Sequence, residues 1–184
     1  MAAIKVYTSA KLAHAESLRK LQPDGFHFNA RWLWMAEGQR KSLKPVSDWK
    51  EENRDDIVAA HFFLLKVDPS DDLSGSIEEV GYAIGKDKRV WIAGNATSAS
   101  DENWGVEVEV PGMAPRLVSQ PGEPEVYEPG KLRIPHKQLV PWGFDRRHIR
   151  MVPNVTIALK EMRQFVQQSR VLNAAGAELP KFEF

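Results

Sequence analysis

The stretch HFFLLKVDPSDDLSGSIEEVGYAIGKDKRVWIAG, residues 61–94, decides the fold. His61 to Val67 is an almost unbroken apolar run, the pattern of a strand buried on both faces of a sheet. A turn-forming loop, DPSDDLSGS, follows it. Ile77, Val80, Tyr82, Ala83 and Ile84 then recur at a helix-compatible spacing, and RVWIAG is a second buried strand. Strand, loop, helix and strand in that order form a crossover unit, which calls for a parallel sheet and a right-handed connection.

Upstream, AIKVYTS supplies a first strand and AKLAHAESLRKLQ a helix, with Leu12, Ala15, Leu18 and Leu21 on one side. Pro23, Asp24 and Gly25 close that helix with a turn. FHFNARWLW is a second, aromatic strand candidate, with Arg31 and Trp32 at its end. A polar loop leads from it into a helix starting near Ser47 or Asp48. Downstream of Asn95 the character changes. GVEVEVPG alternates like a half-exposed strand, and QPGEPEVYEPG is rich in Pro, Gly and Glu. Residues 96–140 therefore form a β-rich arm inserted in the core, too long for an ordinary connection. NVTIALKEMRQFVQQSRVL closes the chain with Val155, Ala158, Leu159, Met162, Phe165 and Val166 along one helical stripe. The expected architecture is a single α/β domain over residues 1–184, a Rossmann-like (flavodoxin-like) parallel sheet flanked by helices.

Composition narrows the function. The chain of 184 residues carries 25 basic and 25 acidic side chains, so its net charge is zero, which speaks against a stable nucleic-acid complex. The run Arg146, Arg147, His148 and Arg150 reads as a solvated connection into the last helix, with a phosphate site as the alternative. Cysteine is absent, so disulfides, thiolate nucleophiles and thiolate zinc sites are excluded. No His, Asp and Glu cluster has metal-ligand spacing, and no glycine-rich dinucleotide or phosphate loop occurs; neither metal nor cofactor is expected. No segment is long and apolar enough to cross a bilayer, and the expected setting is the cytoplasm.

In an open parallel sheet, ligands bind beyond the carboxyl ends of the strands, where loops enter helices. Residues Ser74 to Glu79 lie there, directly after the strongest strand. Gly75 permits close backbone approach, and the amides of a helix start can hold a phosphate or a sugar oxygen. The two glutamates differ in facing. Glu79 shares a helix face with Ser76 and Ala83, and Glu78 shares one with Tyr82. A carboxylate kept ionised in a cleft can attack an electrophilic sugar carbon.

The motif SGSIEEVGYA resembles the signature of the nucleoside 2-deoxyribosyltransferase family, in which a Ser/Gly loop runs into Glu, an aliphatic residue, Gly, Tyr and Ala. KVYTSAK, the RW after the second strand and DDIVAAHFFLL are similar to other elements of that family, and the likeness spans roughly residues 4–95. It implies cleavage of an N-glycosidic bond of a nucleoside or nucleotide, with Glu79 as nucleophile and Tyr7 beside it as the orienting donor. A further family aspartate falls on Asn53, Asp55 or Asp56, with Asp56 preferred as a third catalytic residue. Ser9, His14, Arg31, Trp32, Ser74, Gly75 and Ser76 are the expected substrate contacts. Relatives form homo-oligomers, so a dimer or larger assembly is expected. One departure stands out: six residues before the nucleophile, where relatives carry an acid for the leaving base, this chain has Leu73. That substitution keeps a second function in view, a nucleotide-binding or sensing module with little catalysis.

Overall fold

A computed structural model describes residues 3–35, 46–96, 105–109, 116–117, 127–128, 131–136, 138–139 and 148–174. Its centre is a five-stranded, all-parallel sheet. The strands are β1 (Ile4–Ser9), β2 (Phe26–Phe28), β3 (Phe62–Lys66), β4 (Arg89–Ala93) and β9 (Ile149–Val152), in the order β2-β1-β3-β4-β9. This is the flavodoxin-like order, which reverses direction between β1 and β3. The helices are α1 (Ala15–Leu21), α2 (Arg31–Trp34), α3 (Val46–Ala59), α4 (Ser74–Gly85) and α5 (Val155–Ala174). A 3-10 turn, Leu12–His14, precedes α1.

The apolar run of β3 is buried as its sequence demands: Phe63, Leu64 and Leu65 are fully enclosed. Val90, Trp91, Ile92 and Ala93 of β4 match them in register. Helix α5 presents Val155, Ala158, Leu159 and Met162 to the sheet, with Phe165 edge-on to Phe62 at 5.9 Å. Truncating one of the enclosed aliphatic residues costs about 2–5 kcal/mol, so these contacts fix the frame on which the site is built. Helix α4 ends where Asp87 takes a left-handed conformation (φ 55), which Asp tolerates, and Lys86 N–H returns to the Tyr82 and Ala83 carbonyls.

Three local features differ from the sequence-based expectation. The second strand is short, because residues 31–34 turn into helix α2. The turn is held by Arg31 N–H donating to Asp56 Oδ2 at 2.9 Å and by Trp34 Nε1 donating to the Phe28 carbonyl at 2.6 Å. Helix α4 begins at Ser74 rather than near Ile77, so Glu79 sits in its second turn and its first turn holds no acid. Finally, part of the basic segment before α5 is the fifth strand. Arg150 within it pairs with Glu161 of α5 through two 3.1 Å bonds, and Trp91 Nε1 donates to the same carboxylate. His148 lies 3.3 Å from Asp87, while Arg146 and Arg147 fall outside the described residues.

Between β4 and β9 the chain forms small antiparallel pairs: β5 (Val106–Glu109) with β8 (Lys131–Ile134), and β6 (Arg116–Leu117) with β7 (Tyr127–Glu128). Gly105, at φ +119, enters the first pair so close to the Ile134 carbonyl that no side chain fits there. Among the described residues, no helix is long and apolar enough to cross a membrane.

Candidate active site

Tyr7 and Ser9 stand two apart on β1, so both project from one face of the sheet. That face is covered by α3 and α4, which bring Asn53 and Glu79 to meet them. The Glu79 carboxylate accepts three hydrogen bonds: Tyr7 Oη donates to Oε1 at 3.0 Å, Asn53 Nδ2 to Oε1 at 2.8 Å, and Ser9 Oγ to Oε2 at 2.5 Å. Ser9 Oγ also lies 3.2 Å from Ser76 Oγ. A hydroxyl has one proton, and with Ser9's given to the carboxylate, Ser76 is the donor of that second pair.

The electrostatics are opposed. Burial pushes the Glu79 carboxyl above its ordinary range, while the bonds from Ser9, Tyr7 and Asn53 pull it back down and the neighbouring Glu78 charge adds to the rise. Burial, and then the Glu79 charge, drives the Tyr7 hydroxyl well above the usual phenol value, which keeps it a donor. The arrangement is a desolvated carboxylate with its lone pairs oriented by fixed donors, the condition for a carboxylate nucleophile.

Glu79 lines a cleft of about 390 Å³, together with Ser9, Asn53, Gly75 and Ser76. Its volume lies within the range of small-molecule sites, and it opens at the β1/β3 reversal, where open α/β sheets bind ligands. Trp32 and Trp49 supply apolar walls, and Ala10, Lys11, Leu12 and Asp72 complete the lining. Trp32 is tethered by Nε1 donating to the Thr8 carbonyl at 2.9 Å.

The structure thus brings Glu79, Ser9, Trp32, Gly75 and Ser76 to one cleft, holds the fully buried Tyr7 against Glu79, and leaves four expected residues aside. Asp56 is spent on Arg31: it accepts the Arg31 N–H at Oδ2 and Nε at Oδ1, at 2.9 and 2.8 Å. Arg31 is held further by the Glu52 carbonyl at 2.9 Å, and neither it nor Asp56 lines the cleft. The helix residue that does touch Glu79 is Asn53, one turn earlier. Ser74 is exposed at the start of α4, its N–H donating to Asp72 Oδ1 at 3.2 Å.

His14 lies behind the cleft in a dense polar cluster. Lys66 Nζ is 3.0 Å from its Nδ1, and Asp71 and Asp68 are 3.3 and 3.4 Å from its Nε2. Lysine only donates, so Nδ1 is the acceptor and Nε2 carries the proton. The cluster joins the loop after β1 to the loop after β3, the two strands that flank the reversal. Leu73 is enclosed in the core, its N–H donating to Gln138 Oε1 at 3.0 Å, and the adjacent Asp72 faces the cleft instead.

Trp49 and Asn53 share a helix face by their spacing of four, a signal present in the sequence. Lys11 and Leu12 carried none, because their place depends on how the chain leaves β1. Among the described residues, no group of three or more His, Asp or Glu side chains is arranged to hold a metal ion. Comparison of this chain with protein-family models, with curated proteins and with solved structures found no match.

Proposed function

We propose that this protein is an enzyme that cleaves the N-glycosidic bond of a nucleoside or nucleotide through a covalent glycosyl-enzyme. The observation that carries the reading is the convergence of Tyr7, Ser9 and Asn53 on the part-buried Glu79 carboxylate in the cleft. Burial makes the carboxylate reactive, and three donors fix its direction. In the first step a Glu79 oxygen bonds to the anomeric carbon while the C–N bond breaks, its electron pair leaving with the base. In the second, a base nitrogen or a water oxygen attacks the same carbon and gives up its proton, matching the one taken up by the released base, and Glu79 departs as carboxylate. Transfer and hydrolysis share the intermediate.

The planar walls of Trp32 and Trp49 suit a heteroaromatic base. Asp72 also lines the cleft, and in this reading it is the group that assists the departing base. The resemblance of residues 4–95 to nucleoside 2-deoxyribosyltransferases supports the same chemistry, as well as an assembly of at least two subunits and a cytoplasmic setting. Light scattering behind size-exclusion chromatography tests the assembly. Incubation with deoxynucleosides and deoxynucleotides, with and without a second free base, should release or exchange base. Glu79→Ala should abolish that, and turnover at the wild-type rate in this variant would overturn the mechanism.

One observation favours a second reading. Leu73 is enclosed where relatives carry an acid. Tight nucleotide binding without turnover across the substrate panel would make the protein a nucleotide-sensing module on the same fold.

A further inference from the structure

A second cavity, of about 180 Å³, opens between α3 and α4 on the other side of Glu79. It shares Asn53, Gly75 and Glu79 with the main cleft. Gly75 lines both cavities, and a side chain there would meet no atom within 4 Å, so the space beside it is open. Lys50 and Arg54, four apart on α3, face this cavity. Both converge on Glu78: Lys50 Nζ is 2.7 Å from one carboxylate oxygen and Arg54 Nη2 is 3.6 Å from the other. The Arg54 guanidinium also lies over the Tyr82 ring, 5.4 Å from its centre, which restricts the orientation of its fork. The two cations hold the Glu78 carboxyl below its ordinary range.

Two cations directed at one carboxylate are an anion seat occupied by the chain's own side chain. The occupant is replaceable. Glu78 and Lys50 are each about half exposed (48% and 52%), and such ion pairs contribute little net stability. A phosphate monoester brings nearly two charges where Glu78 brings one, and it accepts a guanidinium fork in bidentate geometry. The cavity falls below the volume of a whole small-molecule site and suits a single charged group.

We propose that Lys50 and Arg54 form a phosphate-monoester site, gated by Glu78 and continuous with the Glu79 cleft past Gly75. The proposal rests on the reading of the cleft as a nucleoside or nucleotide site. The phosphate has two sources: a nucleotide whose sugar lies at Glu79, or a free phosphate acting beside it.

Binding of inorganic phosphate, of the four deoxynucleosides and of their 5′-monophosphates is measured by calorimetry on the Glu79→Gln protein, with and without added substitutions. Lys50→Gln with Arg54→Gln should weaken phosphate-bearing ligands about tenfold or more, the loss expected for charged hydrogen bonds, and leave nucleosides unchanged. Glu78→Gln should strengthen the same ligands several-fold. A response confined to the monophosphates assigns the phosphate to the substrate, and one shared by inorganic phosphate assigns it to a free anion. The proposal is overturned if neither phosphate nor any monophosphate binds, or if the double substitution leaves their affinities unchanged. Base release by the wild-type protein is followed in parallel. Release without the binding pattern refutes only the phosphate site, and the pattern without release refutes only the glycosidic chemistry.

Discussion

Replacing Tyr7 by Phe tests the balance between burial and hydrogen bonding at Glu79. The substitution removes one hydroxyl, 3.0 Å from Oε1, and keeps the ring that packs 5.3 Å from Phe63. A hydrogen bond to a charged group is worth about 1.5–3 kcal/mol, and a free-energy difference of about 1.4 kcal/mol moves a titration by one pH unit. In wild type this bond opposes burial and lowers the Glu79 pKa. Without it the pKa rises, and the acid limb of kcat/KM should move to higher pH by about one to two units. Tyr7 itself is pushed well above the phenol range, so it does not contribute that limb. The assay is base release against pH, accompanied by ¹³C carboxyl NMR with Glu79→Gln identifying the resonance. The NMR arm needs no substrate. An unmoved titration in a folded Tyr7→Phe protein would show that the hydroxyl does not stabilise the ionised form, and the reasoning would fail.

Asn53→Ala and Asp56→Ala should separate chemistry from architecture. The first removes a donor to Glu79 and should lower kcat/KM by about tenfold or more with little change in stability. The second leaves the Arg31 N–H and side chain without their carboxylate and should cost about 1–3 kcal/mol in chemical denaturation, with the Glu79 titration nearly intact. Glu79→Gln should stabilise the fold at neutral pH. The folded carboxyl has the higher pKa, so above the unfolded value the folded state binds more protons and stability falls as pH rises through the folded pKa. The variant's melting temperature should therefore exceed wild type by about 2–4 °C for each kcal/mol relieved, with the gap closing as the pH drops below the ordinary carboxylate range. A constant gap at all pH values would contradict this linkage. Gly105→Ala should lower stability by about 1–3 kcal/mol, because the new Cβ meets the Ile134 carbonyl at a backbone angle unsuited to side chains. Unchanged hydrogen exchange across residues 131–134 would count against that contact.

Periodicity alone carried much of the fold. The runs that became β3 and β4 are apolar on both faces, which only a covered parallel sheet tolerates, and the stripe of α5 repeats for several turns. The segment 31–34 escaped because its aromatic composition is that of a strand. It is helical for a tertiary reason, the Asp56 carboxylate taking the Arg31 N–H from 25 residues away. Strand β9 escaped because its four residues alternate weakly and its one arginine is neutralised by Glu161, a partner not visible from local charge. At the site, the resemblance of the SGSIEEVGYA and KVYTSAK segments pointed to Glu79, Tyr7 and Ser9. The choice among Asn53, Asp55 and Asp56 could not be read from spacing, since all three lie on α3 within one turn. Asp56 is bound by Arg31, whereas the Asn53 amide donates to Oε1.

Asn53 also bears on the chemistry through its charge. An aspartate at that position would set a second anion within hydrogen-bond distance of Glu79, and two neighbouring carboxylates cannot both remain ionised without cost. The amide donates without that repulsion. A neutral donor at position 53 therefore adds no repulsion to the burial that already raises the Glu79 pKa. Asn53→Asp would then replace a donor by an acceptor and share one proton across the pair. Its activity should fall at neutral pH more than that of Asn53→Ala, although the shape of the side chain is conserved. If Asn53→Asp instead equals wild type, Glu79 does not depend on a neutral donor, and its ionised form must be held by Ser9 and Tyr7 alone.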